Sequence, residues 1–271
     1  MILKEAIAFL KNAGVDSAEY DARELFKQFG NIKTSPVTLN ASSNEAKLKE
    51  AIERRAKREP LQYIIGSVGF YREEYRVTSD CLIPRSDTEI LVDYAVKHIP
   101  DGELFADLCA GSGCIGISTL ANTNETRCVS VDISEKALQL TLENAKRNSV
   151  EDRISAVRAN LLDDTIELNE KFFAILSNPP YISREVYHKL EKEIFHEPKI
   201  AFVAEQNGLE FYEKLTPFAI NRLKPGGFIA FEIGYDQAED IKSIADKNGC
   251  SCKIIKDYSG NDRVAVLEII Q

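Results

Sequence analysis

The chain has 271 residues, enough for one large domain or two smaller ones, and at 44% hydrophobic and 28% charged it has the balance of an ordinary soluble globular protein. No apolar run reaches the roughly 18 residues that a membrane span needs, and "MILKEAIAFLKNAG" has no signal-peptide cleavage pattern. The net charge is −9, yet residues 1–80 carry 13 basic and 12 acidic side chains, so the acidic surplus lies in the remainder, where it disfavours a nucleic-acid backbone as partner.

In chain order, the first segment reads as helical. Ile2, Leu3, Ile7 and Leu10 share one helical face and Gly14 closes the run. Asp16 with Glu19 has the spacing of a capping box for a second helix through Leu25 and Phe26, and Ser42 with Glu45 for a third that ends before Pro60. The charged run 53–59, "ERRAKRE", reads as a solvated helix end, with a partner-docking patch as the alternative. From about 62 to 82 β-branched and aromatic residues mix with Gly66 and Gly69, the pattern of a short hairpin. The expected division is a helical domain over 1–65, a β-hairpin linker over 66–83 and an α/β domain over 84–271.

From 102 onward strand and helix patterns alternate. Strands are expected in "ELFADL", "RCVSVD", "RISAVRA", "FFAILS", "GGFIAFEIG", "SCKIIKDY" and "RVAVLEII", with helices between them, including one at 134–148 capped by Ser134. Such alternation means a mostly parallel sheet covered on both faces. Only "SGND" separates the last two strands, which therefore form an antiparallel pair.

Two loops carry the chemistry. "ADLCAGSGCIG" (106–116) ends a buried strand in glycines 111, 113 and 116 and opens a helix, the place where ligands meet bare backbone amides in α/β sheets. Asp132 ends the next strand about 20 residues on, the offset of a carboxylate that bonds ribose hydroxyls. A nicotinamide dinucleotide is one candidate. Asp107, at the strand end, suits a cationic group better than a pyrophosphate, which favours S-adenosylmethionine.

The second loop is "LSNPPYIS" (176–183). Two prolines remove two N–H groups and stiffen the backbone, so its carbonyls stay available as acceptors. The Asn178 side-chain carbonyl and the Pro179 backbone carbonyl form a two-acceptor clamp for a planar NH2 group, with Tyr181 packed on the flat group. A Pro-Pro turn that merely leaves the sheet is the plainer reading. Of the six cysteines none forms C-x-x-C, and with three histidines no zinc spacing appears; Cys250-x-Cys252 reads as two reduced apolar residues rather than a redox pair.

Together with "EPLQYIIG" (59–66), "IPRSDTEILVD" (83–93), "FEIG" (231–234) and "SGNDRV" (259–264), these motifs are recognisable. The sequence resembles the protein-(glutamine-N5) methyltransferases that modify peptide-chain release factors. N-P-P-Y by itself is shared with adenine-N6 methyltransferases, the alternative function; a non-catalytic adapter is a third. The resemblance implies a helical N-terminal substrate-docking domain and a class I S-adenosylmethionine-dependent methyltransferase domain, Rossmann-like, with a mostly parallel seven-stranded sheet and an antiparallel last strand. It implies a cytoplasmic enzyme with release factors as partners, methylating the glutamine of their Gly-Gly-Gln motif, and no metal. By position it assigns the cofactor to Asp107, Ala110, Gly111, Ser112, Gly113, Cys114, Asp132, Asn160, Leu161 and Asn178, and the substrate to Asn178, Pro179, Pro180 and Tyr181. Cys109 stands where the family often has Gly. The 204–208 loop, "AEQNG", departs from the family form, and Arg85 and Glu197 are left between a local structural or gating role and a surface ion pair.

Overall fold

The computed structural model of the protein describes residues 1–30, 41–163 and 168–270, with side chains for all of these except 41–43. The chain forms two compact units. One comprises Met1–Ser67 with Glu191–His196, the other Val68–Leu190 with Glu197–Gln271. The hairpin residues from Val68 on thus belong with the larger unit, and six residues from the far side of the N-P-P-Y loop belong with the smaller one.

The smaller unit holds α1 (Leu3–Asn12), α2 (Ala18–Phe29), α3 (Ala41–Ala56) and α4 (Leu61–Ile65). Leu10, Val15, Ala22, Leu25, Leu48, Ile52 and Ile64 form its core. Gly14 ends α1 in the left-handed region at φ 77°. The capping box expected from Asp16 and Glu19 does not form. Ser17 precedes α2, and its hydroxyl donates to Asp21 (2.8 Å), while Glu19 accepts from Arg23. Asp21 is drawn inward because Arg55 reaches it at 2.6 Å, with both side chains buried. Arg55 also donates to Glu193 (2.9 Å), which Arg58 grips through both carboxylate oxygens. Glu53 and Lys57 of the 53–59 run are exposed, as in a solvated end, but Arg55 is buried and with Arg58 staples this unit from within. Burying charge is tolerable here because each ion is paired. The Ser42 side chain of the third expected cap lies outside the described residues.

The larger unit opens with a hairpin, β1 (Ser67–Phe70) and β2 (Glu73–Arg76), then a 3-10 turn (Ser86–Thr88) leading into α5 (Glu89–His98). There follow β3 (Leu104–Leu108), α6 (Cys114–Ala121), β4 (Arg127–Asp132), α7 (Glu135–Arg147), β5 (Ile154–Arg158), β6 (Phe172–Ser177), α8 (Arg184–Tyr187), α9 (Glu210–Ile220), β7 (Leu223–Glu232), α10 (Ala238–Lys247), β8 (Cys250–Lys256) and β9 (Asp262–Ile269). Ser134 caps α7 as expected, accepting from Ala137 N–H.

The sheet runs in the order β5-β4-β3-β6-β7-β9-β8. All neighbours are parallel except β9, which is antiparallel to both β7 and β8. This is the seven-stranded sheet expected from the alternation. The central strands read as continuous apolar runs because both faces are covered: Phe105, Leu176, Phe228 and Val264 lie on one side with α5 and α6, and Ile175, Phe231, Tyr212 and Ile241 on the other with α9 and α10. The order reverses beside β3, between β4 and β6, so the loops after β3, β4 and β6 open onto one crevice at the carboxyl edge. Among the described residues, no helix is long and apolar enough to cross a membrane.

Candidate active site

A cavity of about 310 Å³ occupies that crevice, within the usual range for a small-molecule site. Cys109 and Gly111 border it from the loop after β3, Asp132–Ser134 from the loop after β4, Asn160 and Leu161 from the loop after β5, and Asn178 and Pro180 from the loop after β6. Ala137, Leu162, Ile200, Val203 and Phe211 supply apolar wall.

The glycine loop is held from below by α7. Thr141 donates to the Gly111 carbonyl (3.1 Å), and the Asn144 amide to the Ser112 carbonyl (2.9 Å). Gly116 permits close packing of α6: a Cβ there would lie 2.9 Å from Cys128 Sγ and 3.0 Å from Asp107 Oδ2. Asp132 accepts from Gly111 N–H (2.8 Å) and Ser134 N–H (2.9 Å). A carboxylate has about four acceptor positions, so acceptor capacity is left over for a ligand's hydroxyls. Burial raises the Asp132 pKa against the backbone donors of Ser134, Gly111 and Ile133.

The expected cofactor residues divide into two sets. Gly111, Asp132, Asn160, Leu161 and Asn178 line the cavity. Asp107, Ala110, Ser112, Gly113 and Cys114 do not; they are buried behind it. Asp107 is the clearest departure. Its Oδ2 accepts from Gly116 N–H (3.0 Å), under the first turn of α6, and its Oδ1 is buried without a partner. Burial pushes it up to about 7. A carboxylate in that position orders the loop and does not border the cavity. Asn160 Oδ1 already accepts from Leu162 N–H (3.1 Å), which leaves it one acceptor position for an adenine amine.

The N-P-P-Y loop leaves β6 between two supports. Ser177 donates to the Leu108 carbonyl (2.6 Å), tying β6 to β3 at the edge. Beyond the prolines, Ile182 N–H donates to the Phe202 carbonyl (2.8 Å) and Ala204 N–H to the Ile182 carbonyl (3.0 Å). The 204–208 loop acquires a function here. Gln206, Asn207 and Gly208 all have positive φ, and Gly208 packs so tightly that a Cβ would lie 2.1 Å from the Tyr181 carbonyl oxygen. That carbonyl accepts from Gln237 Nε2 (3.2 Å). The turn holding Tyr181 is thus fixed from both sides.

Asn178 lies between the large cavity and a second one of about 60 Å³, bordered by Arg85, Tyr181, Ile182, Phe202 and Glu232. Its Nδ2 donates to Thr88 Oγ1 (3.2 Å). Among the described residues, no donor bonds Asn178 Oδ1 or the Pro179 carbonyl. Pro179 and Tyr181 do not border the large cavity; Tyr181 borders the small one. Its hydroxyl donates to Glu232 Oε1 (3.2 Å), and burial together with that carboxylate raises its pKa well above an ordinary tyrosine's. Glu197 is no surface partner. Its side chain is 1% exposed and accepts from Ile83 N–H (2.9 Å) and Arg85 (2.5 Å), which anchors the I-P-R stretch beside the small cavity.

Thr88, Glu232 and Gly208 lie in the stretches 83–93, 231–234 and 204–208 noted in the sequence, but their contacts at the site, and Gln237 altogether, emerge only in the folded structure. Glu232 does carry a signal: an acid closing the apolar run Phe228–Phe231, at the same sheet edge as Asp132. Gln237 has no such signature.

Comparison with known proteins agrees with this geometry. Residues 1–66 match the PrmC N-terminal domain model, and residues 86–207 the Methyltransferase small domain model. The release factor glutamine methyltransferase of Fusobacterium nucleatum is 34% identical over 275 residues, covering 98% of this chain and 77% of its own. That of Caulobacter vibrioides is 35% identical over 267 residues, covering 95% and 91%. The chain belongs to the release factor glutamine methyltransferase family. A ribosomal protein L11 methylase from Lactobacillus delbrueckii shares the fold, with a TM-score of 0.51 at 20% identity over 72% of this chain and 85% of that one. The larger unit is accordingly a class I methyltransferase domain, and S-adenosylmethionine is the methyl donor of this enzyme family. The cavity fits that group: a carboxylate with acceptor capacity left at the end of β4, apolar wall from Leu161, Leu162 and Phe211, and Asn178 at its rim.

Proposed function

We propose that this enzyme methylates the side-chain amide nitrogen of the glutamine in the Gly-Gly-Gln motif of peptide-chain release factors. Asp132 would hold the ribose of S-adenosylmethionine, and Leu161 and Phe211 would flank its adenine. The bound donor supplies a sulfonium methyl carbon, activated for in-line displacement. The substrate glutamine enters beside Tyr181, and its two N–H bonds are taken by Asn178 Oδ1 and the Pro179 carbonyl.

Those acceptors do the work that a strong base would otherwise do. An amide nitrogen is a poor nucleophile because its lone pair is delocalised. Drawing both hydrogens toward fixed acceptors aims that lone pair and favours the positive charge that develops on nitrogen. With the donor bound, the N–CH3 bond would form as the S–CH3 bond breaks, S-adenosylhomocysteine would leave, and the extra proton would pass from the methylated nitrogen to water.

The observation that carries this reading is the pair of acceptors at 178 and 179, unpartnered among the described residues, on a turn stiffened by two prolines and placed at the rim of the cofactor-sized cavity. The test is incubation of the enzyme with methyl-labelled S-adenosylmethionine and a purified release factor, with a DNA duplex and an RNA as competing acceptors. Label on the Gly-Gly-Gln glutamine, located by peptide mass spectrometry, is the expected result. Label on adenine and none on the release factor would overturn the reading.

A further inference from the structure

We propose that Glu232, acting through Thr88, is a positioning residue that sets which way round the Asn178 amide stands, and so makes this site accept nitrogen that donates two hydrogens. The inference rests on the methyl-transfer reading of the site. It begins with proton counting. Glu232 is buried at the end of β7. Thr88 Oγ1 lies 2.5 Å from its Oε2, and the Tyr181 hydroxyl 3.2 Å from its Oε1. An ionised carboxylate only accepts, and a threonine hydroxyl has one proton to give. With that proton committed to Glu232, Thr88 can only accept from its other neighbour, Asn178. Asn178 must then turn its NH2 toward Thr88 (3.2 Å) and its carbonyl toward substrate.

Without this relay the two ends of an asparagine amide are nearly equal in size and shape. The wrong orientation would set an N–H against the N–H of the incoming amide, an unmade hydrogen bond at the reacting nitrogen. The same carboxylate holds the Tyr181 hydroxyl, so one buried acid fixes both side chains of the clamp. Its charge is supported from β9 by Arg263, itself paired with Asp257 (3.1 Å) and Asp87 (3.2 Å).

The orientation is also sensitive to pH. The groups facing Glu232 are Thr88 and Asp87 from the 3-10 turn, Cys114 from α6, Tyr181 from the loop after β6, Tyr212 from α9 and Arg263 from β9. Burial pushes Glu232 up to about 7, against the pull of Thr88, Arg263 and Tyr181. Below that value the acid carries its own proton. It can donate to Thr88, which frees the threonine proton for Asn178 and releases the amide. Activity therefore falls as pH drops through about 7.

The test compares the wild-type enzyme with Glu232→Gln, Thr88→Val and Thr88→Ser. The first readout needs no methyl acceptor: in asparagine-labelled protein at pH 8, the Asn178 side-chain NH2 protons should show a cross-relaxation peak to Thr88. That peak should be lost in Glu232→Gln, whose amide can donate to Thr88 and reverse the relay. In turnover, Glu232→Gln and Thr88→Val should each lower kcat about tenfold to a hundredfold, with KM for the release factor and affinity for S-adenosylhomocysteine within about twofold. The acidic limb of the kcat profile should disappear in Glu232→Gln. Thr88→Ser keeps the hydroxyl and should stay within about threefold of wild type. Absence of the peak in wild type, or its persistence in Glu232→Gln with unchanged kcat, would overturn the proposal. So would Thr88→Ser failing as badly as Thr88→Val, which would reduce Thr88 to packing. Failure to label a release factor would count against the proposed substrate and leave the cross-relaxation result standing by itself.

Discussion

Gly208 is the position at which a single methyl group tests whether the clamp must be rigid. In Gly208→Ala the new Cβ would sit 2.1 Å from the Tyr181 carbonyl oxygen, 2.8 Å from its carbon and 2.9 Å from Gln237 Nε2. The oxygen is backbone and cannot swing aside, so the contact must open by about 1 Å to reach van der Waals distance. Retaining φ near +90° with a side chain costs about 1–2 kcal/mol. Displacing the Tyr181 carbonyl gives up the bond from Gln237, about 1 kcal/mol net. The expected destabilisation is about 2–3 kcal/mol by denaturant titration. The effect on catalysis should be larger than that number implies, because a 1 Å misplacement at a positioning residue costs about a hundredfold. Turnover with a release factor should thus fall about a hundredfold, while S-adenosylhomocysteine, whose cavity Gly208 does not border, binds within about threefold by calorimetry. A variant that folds stably and turns over within about threefold of wild type would refute the claim that this loop fixes the clamp.

Asn178→Ala removes one acceptor and should lower kcat by about a hundredfold to a thousandfold with cofactor affinity largely intact, measured by single-turnover methyl transfer. Arg55→Ala leaves Asp21 buried without its partner and should cost about 3–5 kcal/mol; urea unfolding of the full chain reads it. Asp107, raised to about 7 from 3.8, binds its proton more tightly when folded. Its contribution to stability is full below about pH 4 and lost as pH rises through about 7, so Asp107→Asn should flatten the slope of unfolding free energy over that window. Asp132→Ala should weaken S-adenosylhomocysteine binding by at least about tenfold, since the ribose loses its acceptor and the Gly111 amide is left unpaired.

What is legible in the sequence is what local chemistry determines. The seven strands stand out as apolar runs separated by turn residues, because a doubly covered sheet demands them. Asp132 and Asn178 stand out because each closes or follows a strand beside glycines or prolines that suit a ligand-facing loop and little else. The departures have a common cause in long-range pairing. Asp16 and Glu19 have capping spacing, yet Glu19 pairs with Arg23, and Asp21 is claimed by Arg55, 34 residues away. The charged run 53–59 has the look of a solvated end because its acceptor Glu193 lies 138 residues from Arg55. Thr88 and Glu232 are 144 residues apart, and no local pattern marks a hydroxyl that will meet a carboxylate only after the sheet has formed. Asp107 misleads differently. A strand-end carboxylate beside a glycine loop looks like a ligand group, but its alternation on β3 turns it beneath α6, where it bonds Gly116.

The most direct measurement is a crystal structure of the enzyme with S-adenosylhomocysteine and a peptide containing Gly-Gly-Gln. The glutamine nitrogen should lie within about 3.2 Å of both Asn178 Oδ1 and the Pro179 carbonyl, with its free face toward the sulfur. A glutamine bound beside Tyr181 but contacting neither acceptor, or an Asn178 amide presenting its NH2 to the peptide, would contradict the account.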